Sequence, residues 1–451
     1  MVHFKRNADG SLTLTTEVQV TVPAGSSMLE AEEKLMVAVN TAGTGLTGQL
    51  LQSMDADGRP ILRKGSRTLT AKAKREVRHV ETPYGCAIAE RWAYQSSIGG
   101  ACHYPMDEAA SLVGAATPLF AKMVSRKVTE LPAAEVVRDL HENHARTVSM
   151  DFVQRLTGLV GELAALHVPA CDGASLPPPG AVATVSVGVD GACMLMGMKA
   201  PQAISADGRK DRVREWRVAM IGAITLYDPA GQRVGTIYAA TAPPEDKSDG
   251  KRAFWEMMDG HLKTVKERYP KAVYIGLSDG AADFLPWLKD HTDRQVLDYF
   301  HASGYLHAAA GAFAHEVPKD EPATWWSQEA CSHLRHDEGG AASLLGTMEE
   351  RLTDGRRMTA SDREAVQKAA TYFRNNLDRM DYAHYSAAGW PVGSGVTEAG
   401  CKLLVKKRMC GPGMTWGFKM ADHVLKLRAL AHSAGKRWAG LWKSILTTNA
   451  A

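Results

Sequence analysis

The sequence predicts an α/β protein in which a mixed sheet, flanked by helices, follows a mainly helical N-terminal region. Apolar, β-branched stretches at 182–190, 216–227 and 232–240 indicate a β-meander, with a turn at Tyr227-Asp-Pro-Ala-Gly-Gln. Strand-like stretches at 272–278 and 294–298 then alternate with helical ones, which is typical of βαβ units. Helical patterns at about 251–268 and 300–315, with another helix beginning near Ala281, supply the flanking layers.

The N-terminal region begins with a mixed pattern. Residues 10–22 alternate and are rich in β-branched residues, which predicts a strand or hairpin. Residues 28–54 place apolar side chains near helical spacing, which predicts a helix. A short β-like stretch surrounds residues 86–92, and the pattern from 106 to 166 is helical throughout.

Two of those helical stretches, 133–141 and 149–166, are joined by His144-Ala-Arg-Thr-Val and resemble a helix-turn-helix. Such an element would place one helix in a DNA major groove. An ordinary helical hairpin explains the same pattern equally well.

A Pro/Gly-rich stretch at 170–181 contains three consecutive prolines and predicts a stiff linker at the main domain boundary. The predicted division has a mixed N-terminal region with a basic run, a helical region with the possible helix-turn-helix, the linker, the first part of the α/β core, a helical insertion and the last part of the α/β core. These segments span 1–104, 105–169, 170–181, 182–315, 316–390 and 391–451. Helices at 394–410 and 418–434 belong to the last segment.

Charge is unevenly distributed along the 451 residues, whose net charge is only +3. The segment from Ala399 onward carries ten Lys/Arg and one acid, and the run Arg59–Arg78 carries eight Lys/Arg and one acid. Concentrated basic segments favour a polyanionic partner, although solvated surface faces would look the same.

The remaining composition excludes several classes of protein. The seven cysteines are scattered without a Cys-x-x-Cys pair, so neither a disulfide framework nor zinc is predicted. No apolar run reaches the roughly 18 residues of a membrane helix, and the first residues lack a signal-peptide core. We therefore expect a cytoplasmic protein with no membrane partner.

Three acidic residues are the candidate catalytic groups. Asp190 is predicted to end one strand and Asp279 another, and Glu398 lies in the first turn of a predicted helix. Each has a simpler explanation, since Asp-Gly suits a turn and a glutamate favours a helix start. Together they could hold two divalent metals about 4 Å apart, the geometry for in-line displacement at phosphate. An all-oxygen donor set suits Mg²⁺, with Mn²⁺ as a substitute.

These residues carry a family resemblance. The succession Val-Gly-Val-Asp-Gly, Gly-Leu-Ser-Asp-Gly-Ala, Leu-Asp-Tyr-Phe-His and Trp-Pro-Val-Gly-Ser-Gly-Val-Thr-Glu-Ala-Gly-Cys-Lys resembles insertion-sequence DDE transposases of the ISKra type, bacterial relatives of the Mutator-like transposases. The resemblance covers about residues 80–445 and is most specific over 388–430. It implies an RNase H-like catalytic domain with a helical insertion before the catalytic glutamate.

The resemblance also implies the site and the partners. Asp190, Asp279 and Glu398 would be the catalytic metal ligands, and an Asp-x-x-His element would correspond to Asp298 and His301. His301 would be a further catalytic residue that holds a catalytic carboxylate or contacts the scissile phosphate, unless it is only a packed histidine at a helix start. Two Mg²⁺ ions would serve cleavage of transposon ends and joining of the 3′ ends to target DNA. The partners would be double-stranded terminal inverted repeats and target DNA, with a homodimer or larger homo-oligomer acting near the bacterial nucleoid. Relatives often carry an N-terminal zinc element, whereas this region contains only Cys102.

Further residues are candidates for DNA contact. Lys402, Lys406, Lys407 and Arg408 follow Glu398 on its helix, and spacing by four places Lys402 and Lys406 on the face of Glu398. Trp325 and Trp326 could stack on an unpaired base, or could belong to the core of the insertion.

Two other functions remain open. The chain could be a metal-dependent nuclease that cuts without strand transfer, or a non-catalytic DNA-binding protein whose acids are structural. Metal-dependent cleavage separates an enzyme from a binding protein, and joined products separate a transposase from a nuclease.

Overall fold

The computed structural model describes residues 2–204 and 210–448. The chain forms two compact units. The first comprises residues 1–171 together with 426–431 and 438–451, and the second comprises 172–425 together with 432–437. The change from the first unit to the second therefore falls at residues 171 and 172.

The first unit combines small β-structures with long helices. Its strands are β1 (His3–Arg6), β2 (Leu12–Thr15), β3 (Ile61–Lys64), β4 (Arg67–Ala71), β5 (Glu76–Glu81), β6 (Cys86–Arg91) and β7 (Tyr94–Gln95). They pair antiparallel as β1–β2, β3–β4–β7 and β5–β6. The strand predicted over 10–22 is thus only four residues long, with its partner at His3–Arg6.

The helices of the first unit agree with the prediction in part. They are α1 (Met28–Ser53), α2 (Pro105–Ala109), α3 (Pro118–Val128), α4 (Ala133–His144) and α5 (Met150–Ser175). A capping box between Ser27 and Glu30 begins α1, which confirms the predicted helix. The expectation of helix throughout 106–166 is wrong, because loops with a left-handed residue at Ser111 and at Ala145 interrupt it. The predicted linker is also helical as far as Ser175.

The second unit is built on a mixed five-stranded sheet. Its strands are β8 (Thr184–Ile204), β9 (Lys210–Tyr227), β10 (Arg233–Thr241), β11 (Val273–Ser278) and β12 (Arg294–Leu297). They lie in the order β10-β9-β8-β11-β12. The first three form the predicted antiparallel meander, whereas β11 and β12 run parallel to β8. The prediction of a mixed sheet flanked by helices is confirmed.

Helices cover both faces of this sheet. One face packs on α6 (Arg252–Arg268) and α7 (Leu285–His291), in a core that includes Val187, Met258 and Leu288. On the other face, α8 (Tyr299–Ala309) packs against β11 and β12. Alternate residues of each strand point to opposite faces, so the strands are apolar on both sides.

Four further helices form the predicted insertion. They are α9 (Trp325–His336), α10 (Gly340–Thr353), α11 (Ala360–Asn376) and α12 (Tyr382–Ala387). Their buried residues join those of α8, β11 and β12 in one hydrophobic cluster. The insertion therefore extends the core of the sheet and has no separate small core of its own.

The C-terminal part consists of helices. A continuous helical segment comprises α13 (Gly395–Gly400), a π-helical stretch (Cys401–Lys406) and α14 (Lys407–Met409). Two further helices follow, α15 (Phe418–His432) and α16 (Arg437–Thr448). The π-helical stretch was not expected; such irregularities are frequent at functional sites.

Candidate active site

Asp190 lies within a strand and does not end it as the sequence predicted. β8 continues to Ile204, and Asp190 is paired antiparallel with Ile221 of β9. The alternative that Asp190-Gly191 forms a hairpin turn is wrong as well, because Gly191 pairs with Met220. The parallel pairing of β8 with β11 does stop nearby, at Gly188 and Leu277. Asp190 therefore sits at the point where β8 extends beyond its parallel neighbour.

Asp279 directly follows β11, as predicted. The last residues paired between these strands are Gly188 and Leu277, so Asp190 and Asp279 each lie two residues beyond the last parallel pair. Neighbouring strands are spaced about 4.8 Å apart. The side-chain Oδ1 of Asp279 accepts a hydrogen bond of 3.0 Å from the Ala281 amide. Its carbonyl oxygen accepts one of 2.8 Å from the Tyr372 hydroxyl of the insertion. Both aspartates therefore follow the paired part of β8 and β11 at the same end.

The helix that carries Glu398 lies close to the same face of the sheet. A Cβ atom on Gly188 would collide with the Thr397 hydroxyl, and one on Gly400 would lie 2.9 Å from the Tyr238 ring. Gly188 and Asp190 point to the same face of β8, because strand side chains alternate. Two glycines therefore allow the helix to approach the strands on the Asp190 side.

Cys401 links this helix to Asp190. Its thiol donates a hydrogen bond of 3.3 Å to Asp190 Oδ2. Burial raises the pKa of the Cys401 thiol, and the charges of Asp190 and Glu398 raise it further, so the thiol stays protonated. Glu398 precedes Cys401 by three residues, which places their Cβ atoms about 5–6 Å apart on the helix surface. The Glu398 side chain is 53% exposed and lies 3.8 Å from the Lys402 ammonium.

The three acids have the donor atoms that a metal site needs, but their side chains are not grouped around a common point. Within residues 2–204 and 210–448, no three His, Cys, Asp or Glu side chains are grouped closely enough to hold a metal ion. Carboxylate oxygens are the ligands that Mg²⁺ prefers. The Glu398 side chain is exposed, and its ion pair with Lys402 lies at the surface, where such pairs are weak.

Asp298 is a buried structural link and is only 1% exposed. Its Oδ1 caps α8 by accepting from the amides of Phe300 and His301, at 2.7 and 3.0 Å. Its Oδ2 accepts from the Ser394 amide at 2.8 Å and also from the Ser394 hydroxyl. Because Ser394 immediately precedes the Glu398 helix, Asp298 fixes the start of that helix against α8.

His301 is exposed on the first turn of α8. Its ring centroid lies 5.8 Å from those of both Tyr305 and Tyr372. Tyr372 also bonds to the backbone of Asp279, so the histidine lies on the Asp279 side of the sheet. An exposed imidazole can contact an incoming phosphate, which is one of the two catalytic roles expected for His301.

The basic residues after Glu398 divide into exposed and buried ones. Lys402, Lys406 and Lys407 are exposed, and Lys406 donates a 3.0 Å hydrogen bond to the Cys193 carbonyl. Arg408 is only 4% exposed, and its guanidinium lies 5.0 Å from the centre of the Trp416 ring. The predicted phosphate contact of Arg408 is therefore wrong. Lys402 shares the face of Glu398, from which its ammonium lies 3.8 Å. The π-helical stretch Cys401–Lys406 alters the four-residue spacing that was to place Lys406 on the same face.

In the two basic segments, fewer Lys and Arg side chains are available to bind a polyanion than their number in the sequence indicated. Arg428 and Arg437 of the C-terminal segment are 0% and 1% exposed. In the N-terminal run, five residues form ion pairs with acids within their own unit: Arg59, Lys64, Lys72, Arg75 and Arg78. Much of the positive charge thus serves the fold.

The tryptophans of the insertion belong to its packing. Trp326 is 6% exposed and stacks on Phe313 with ring centroids 3.9 Å apart. Trp325 is half-buried against the same hydrophobic cluster. The base-stacking role predicted for Trp326 is wrong, and core packing explains both residues.

Two residues that contact the aspartates were not predicted from the sequence. Cys401 contacts Asp190, and Tyr372 reaches Asp279 from the insertion. Nothing in the spacing of either residue indicated a contact with an acid more than ninety positions away. Only the fold brings them to the aspartates.

Comparisons with known proteins add no relative. No protein-family model matches the chain, and no curated protein shows significant sequence similarity to it. No helix in the described part of the chain has both the length and the apolar character needed to cross a membrane.

Proposed function

We propose that this protein is a DDE transposase that binds transposon ends, cleaves them and joins the 3′ ends to target DNA. The observation that carries the proposal is that Asp190 and Asp279 each lie two residues beyond the last parallel pair of neighbouring strands, with the Glu398 helix packed close to the same face of the sheet. Acids contributed by distant parts of the chain and collected at one edge of a sheet suit phosphoryl transfer.

The sheet supports an RNase H-like reading of the second unit. An antiparallel meander of three strands is extended by two parallel strands next to its first strand. A helical insertion lies between Asp279 and Glu398, as the resemblance implies. The two aspartates follow the end of the parallel pairing, and the ends of parallel strands are where such sheets place their sites.

In this function Asp190, Asp279 and Glu398 would hold two Mg²⁺ ions, with Mn²⁺ as a substitute. When bound, such ions lower the pKa of an attacking water and stabilise a leaving 3′ oxygen. The chain itself positions the acids: Gly188 and Gly400 allow the close helix packing, and Asp298 fixes the start of the Glu398 helix. Positioning is the main demand that phosphoryl transfer makes on a protein.

The partners would be double-stranded DNA at the terminal inverted repeats and at the target. Exposed Lys402 and Lys407, on the helix of Glu398, can contact phosphates beside the acids. Because two ends must be paired for transposition, we expect a homodimer or larger homo-oligomer. Its place of action would be the bacterial cytoplasm, at the nucleoid.

The decisive experiment uses DNA that carries the inverted repeats bordering the gene. The purified protein is incubated with labelled end DNA, a target plasmid and Mg²⁺, and the products are separated by size. Cleavage together with joined products supports a transposase. Cleavage without joining indicates the nuclease, and binding without cleavage indicates a DNA-binding protein with structural acids.

A second prediction concerns the basic side chains next to Glu398. Changing Lys402, Lys406 and Lys407 together to Gln should flatten the salt dependence of DNA binding. Each lost phosphate contact should lower the log–log slope by up to about 0.9, because fewer counterions are released. The measurement is the dissociation constant of end DNA over a series of salt concentrations.

A matched control changes three exposed lysines elsewhere in the second unit, Lys263, Lys271 and Lys289. Lys263 and Lys289 lie on α6 and α7, which cover the opposite face of the sheet. This variant should keep the parental slope. Equal slopes in both triple variants would contradict a DNA contact at the Glu398 helix.

A further inference from the structure

A cleft of about 550 Å³ opens beside Asp279, between α11 and the loop that follows β11. Gly280 lines the cleft directly, and Tyr372, whose hydroxyl bonds to the Asp279 carbonyl at 2.8 Å, forms part of its wall. Its volume lies within the range of about 300 to 1,000 Å³ that is usual for small-ligand sites. No candidate catalytic residue lines the cleft, although it borders one of them.

The buried cation of the cleft is Arg379, which is 5% exposed. Two of its nitrogens are engaged, with Ser278 Oγ at 3.4 Å and with the Asn376 side-chain oxygen. Its Nε is buried and has no hydrogen-bond acceptor among the described residues. The nearest acid, Asp378, has its Oδ1 3.9 Å from that nitrogen. A buried guanidinium with an unmet donor favours an anionic ligand.

The wall of the cleft is aromatic and its rim is polar, unlike the buried cationic end at Arg379. Tyr305 and Tyr372 are stacked with ring centroids 4.1 Å apart and form an aromatic wall. The exposed side chains of Lys368 and Asn375 stand on α11 at the rim. An aromatic face can stack on a base, an amide can both donate to and accept from a base edge, and a lysine can contact phosphate.

These features together describe a site for one nucleotide. Because the cleft adjoins Asp279, the nucleotide would belong to the strand that is cut. A paired base cannot enter it, since its edge is engaged and its faces are stacked. We propose that the cleft binds a single unpaired nucleotide of the DNA next to the cleavage point, with its phosphate toward Arg379 and its base against the tyrosines. This inference rests on the proposed action on DNA.

The test compares two DNA probes in the absence of divalent metal, so that no cleavage occurs. One probe is a blunt duplex of the end sequence, and the other has one unpaired 2-aminopurine nucleotide at the cleavage position. The parent should bind the second probe more tightly and quench its fluorescence. The variants Tyr305→Leu, Lys368→Gln and Asn375→Ala should reduce this preference, by about 5-fold or more for Tyr305→Leu, where stacking is lost. These three positions at the wall and rim are chosen because replacement of the buried Arg379 would also perturb folding.

Arg374→Gln is the matched control for Lys368→Gln. Both residues are exposed basic side chains of α11, and each pairs with a glutamate at 2.6 Å, but Arg374 does not line the cleft. The control should keep the parental preference, and an equal loss in both variants would overturn the cleft as the binding site. A parent without preference for the unpaired probe, but active in Mg²⁺-dependent cleavage, overturns the cleft alone. Preserved preference without cleavage supports the cleft and overturns the proposed reaction.

Discussion

Asp190→Asn, Asp279→Asn and Glu398→Gln should each abolish Mg²⁺-dependent cleavage of end DNA, with a loss of about 1,000-fold or more. Each change keeps the size of the side chain and removes the negative charge that would hold a metal. The three losses should not add, because any one of them disrupts the same unit. DNA affinity without metal should stay equal or rise slightly, since a negative charge facing a polyanion is lost.

Cleavage and gel-shift affinity are measured side by side on the parent and the variants. Asp283→Asn is the control, because Asp283 is a 77% exposed aspartate four residues after Asp279 and pairs only at the surface, with Lys251. It should cleave like the parent. Near-parental cleavage by any one of the three catalytic variants would remove that residue from the site.

Asp298→Ala should lower the free energy of unfolding by about 3 kcal/mol, because four donors lose their acceptor in a buried place. It should also impair cleavage, since Ser394 no longer fixes the Glu398 helix against α8. Asp298→Asn should have a smaller effect on stability, because the amide oxygen can still accept from one of the two groups of donors. Urea unfolding and the cleavage assay are the measurements.

Asp381→Ala provides the comparison, because Asp381 caps a helix but does not connect it to a second helix. Asp381 caps α12 by accepting from the His384 amide at 3.4 Å, and it is exposed. Its loss should lower the unfolding free energy by about 1 kcal/mol or less and leave cleavage unchanged. Similar stability losses at both positions would show that Asp298 acts only as a cap.

The strands of the sheet were predictable where local composition decides them. Val273–Ser278 and Arg233–Thr241 are apolar, β-branched and bounded by turn residues, and both lie close to their predicted positions. The continuation of β8 beyond Asp190 was not predictable, because Asp-Gly locally favours a turn. Pairing with β9 decides this segment, and that pairing depends on residues far along the chain.

At the site too, some features follow from the local sequence and others depend on residues that are distant along the chain. Asp190, Asp279 and Glu398 can be proposed as candidate acids from residue type and context, whereas the contact of Cys401 with Asp190 is revealed only by packing. Lys407 and Arg408 are adjacent and equally basic, yet one is exposed and the other is buried under Trp416. A count of charges treats both residues equally, whereas the geometry of the irregular helix decides which of the two side chains is exposed.

Because the Glu398 helix packs on β8 but is synthesised much later, this face of the sheet can be covered only near the end of synthesis. Both aspartates leave the ribosome well before Glu398, and at about 5–20 residues per second the delay is on the order of ten seconds. During that interval a nascent chain bears two of the three acids, while the face of the sheet that awaits Thr397 and Gly400 is still uncovered. A chain released inside the insertion would keep that apolar face open. Premature termination should therefore yield an aggregating fragment that lacks one of the three candidate acids.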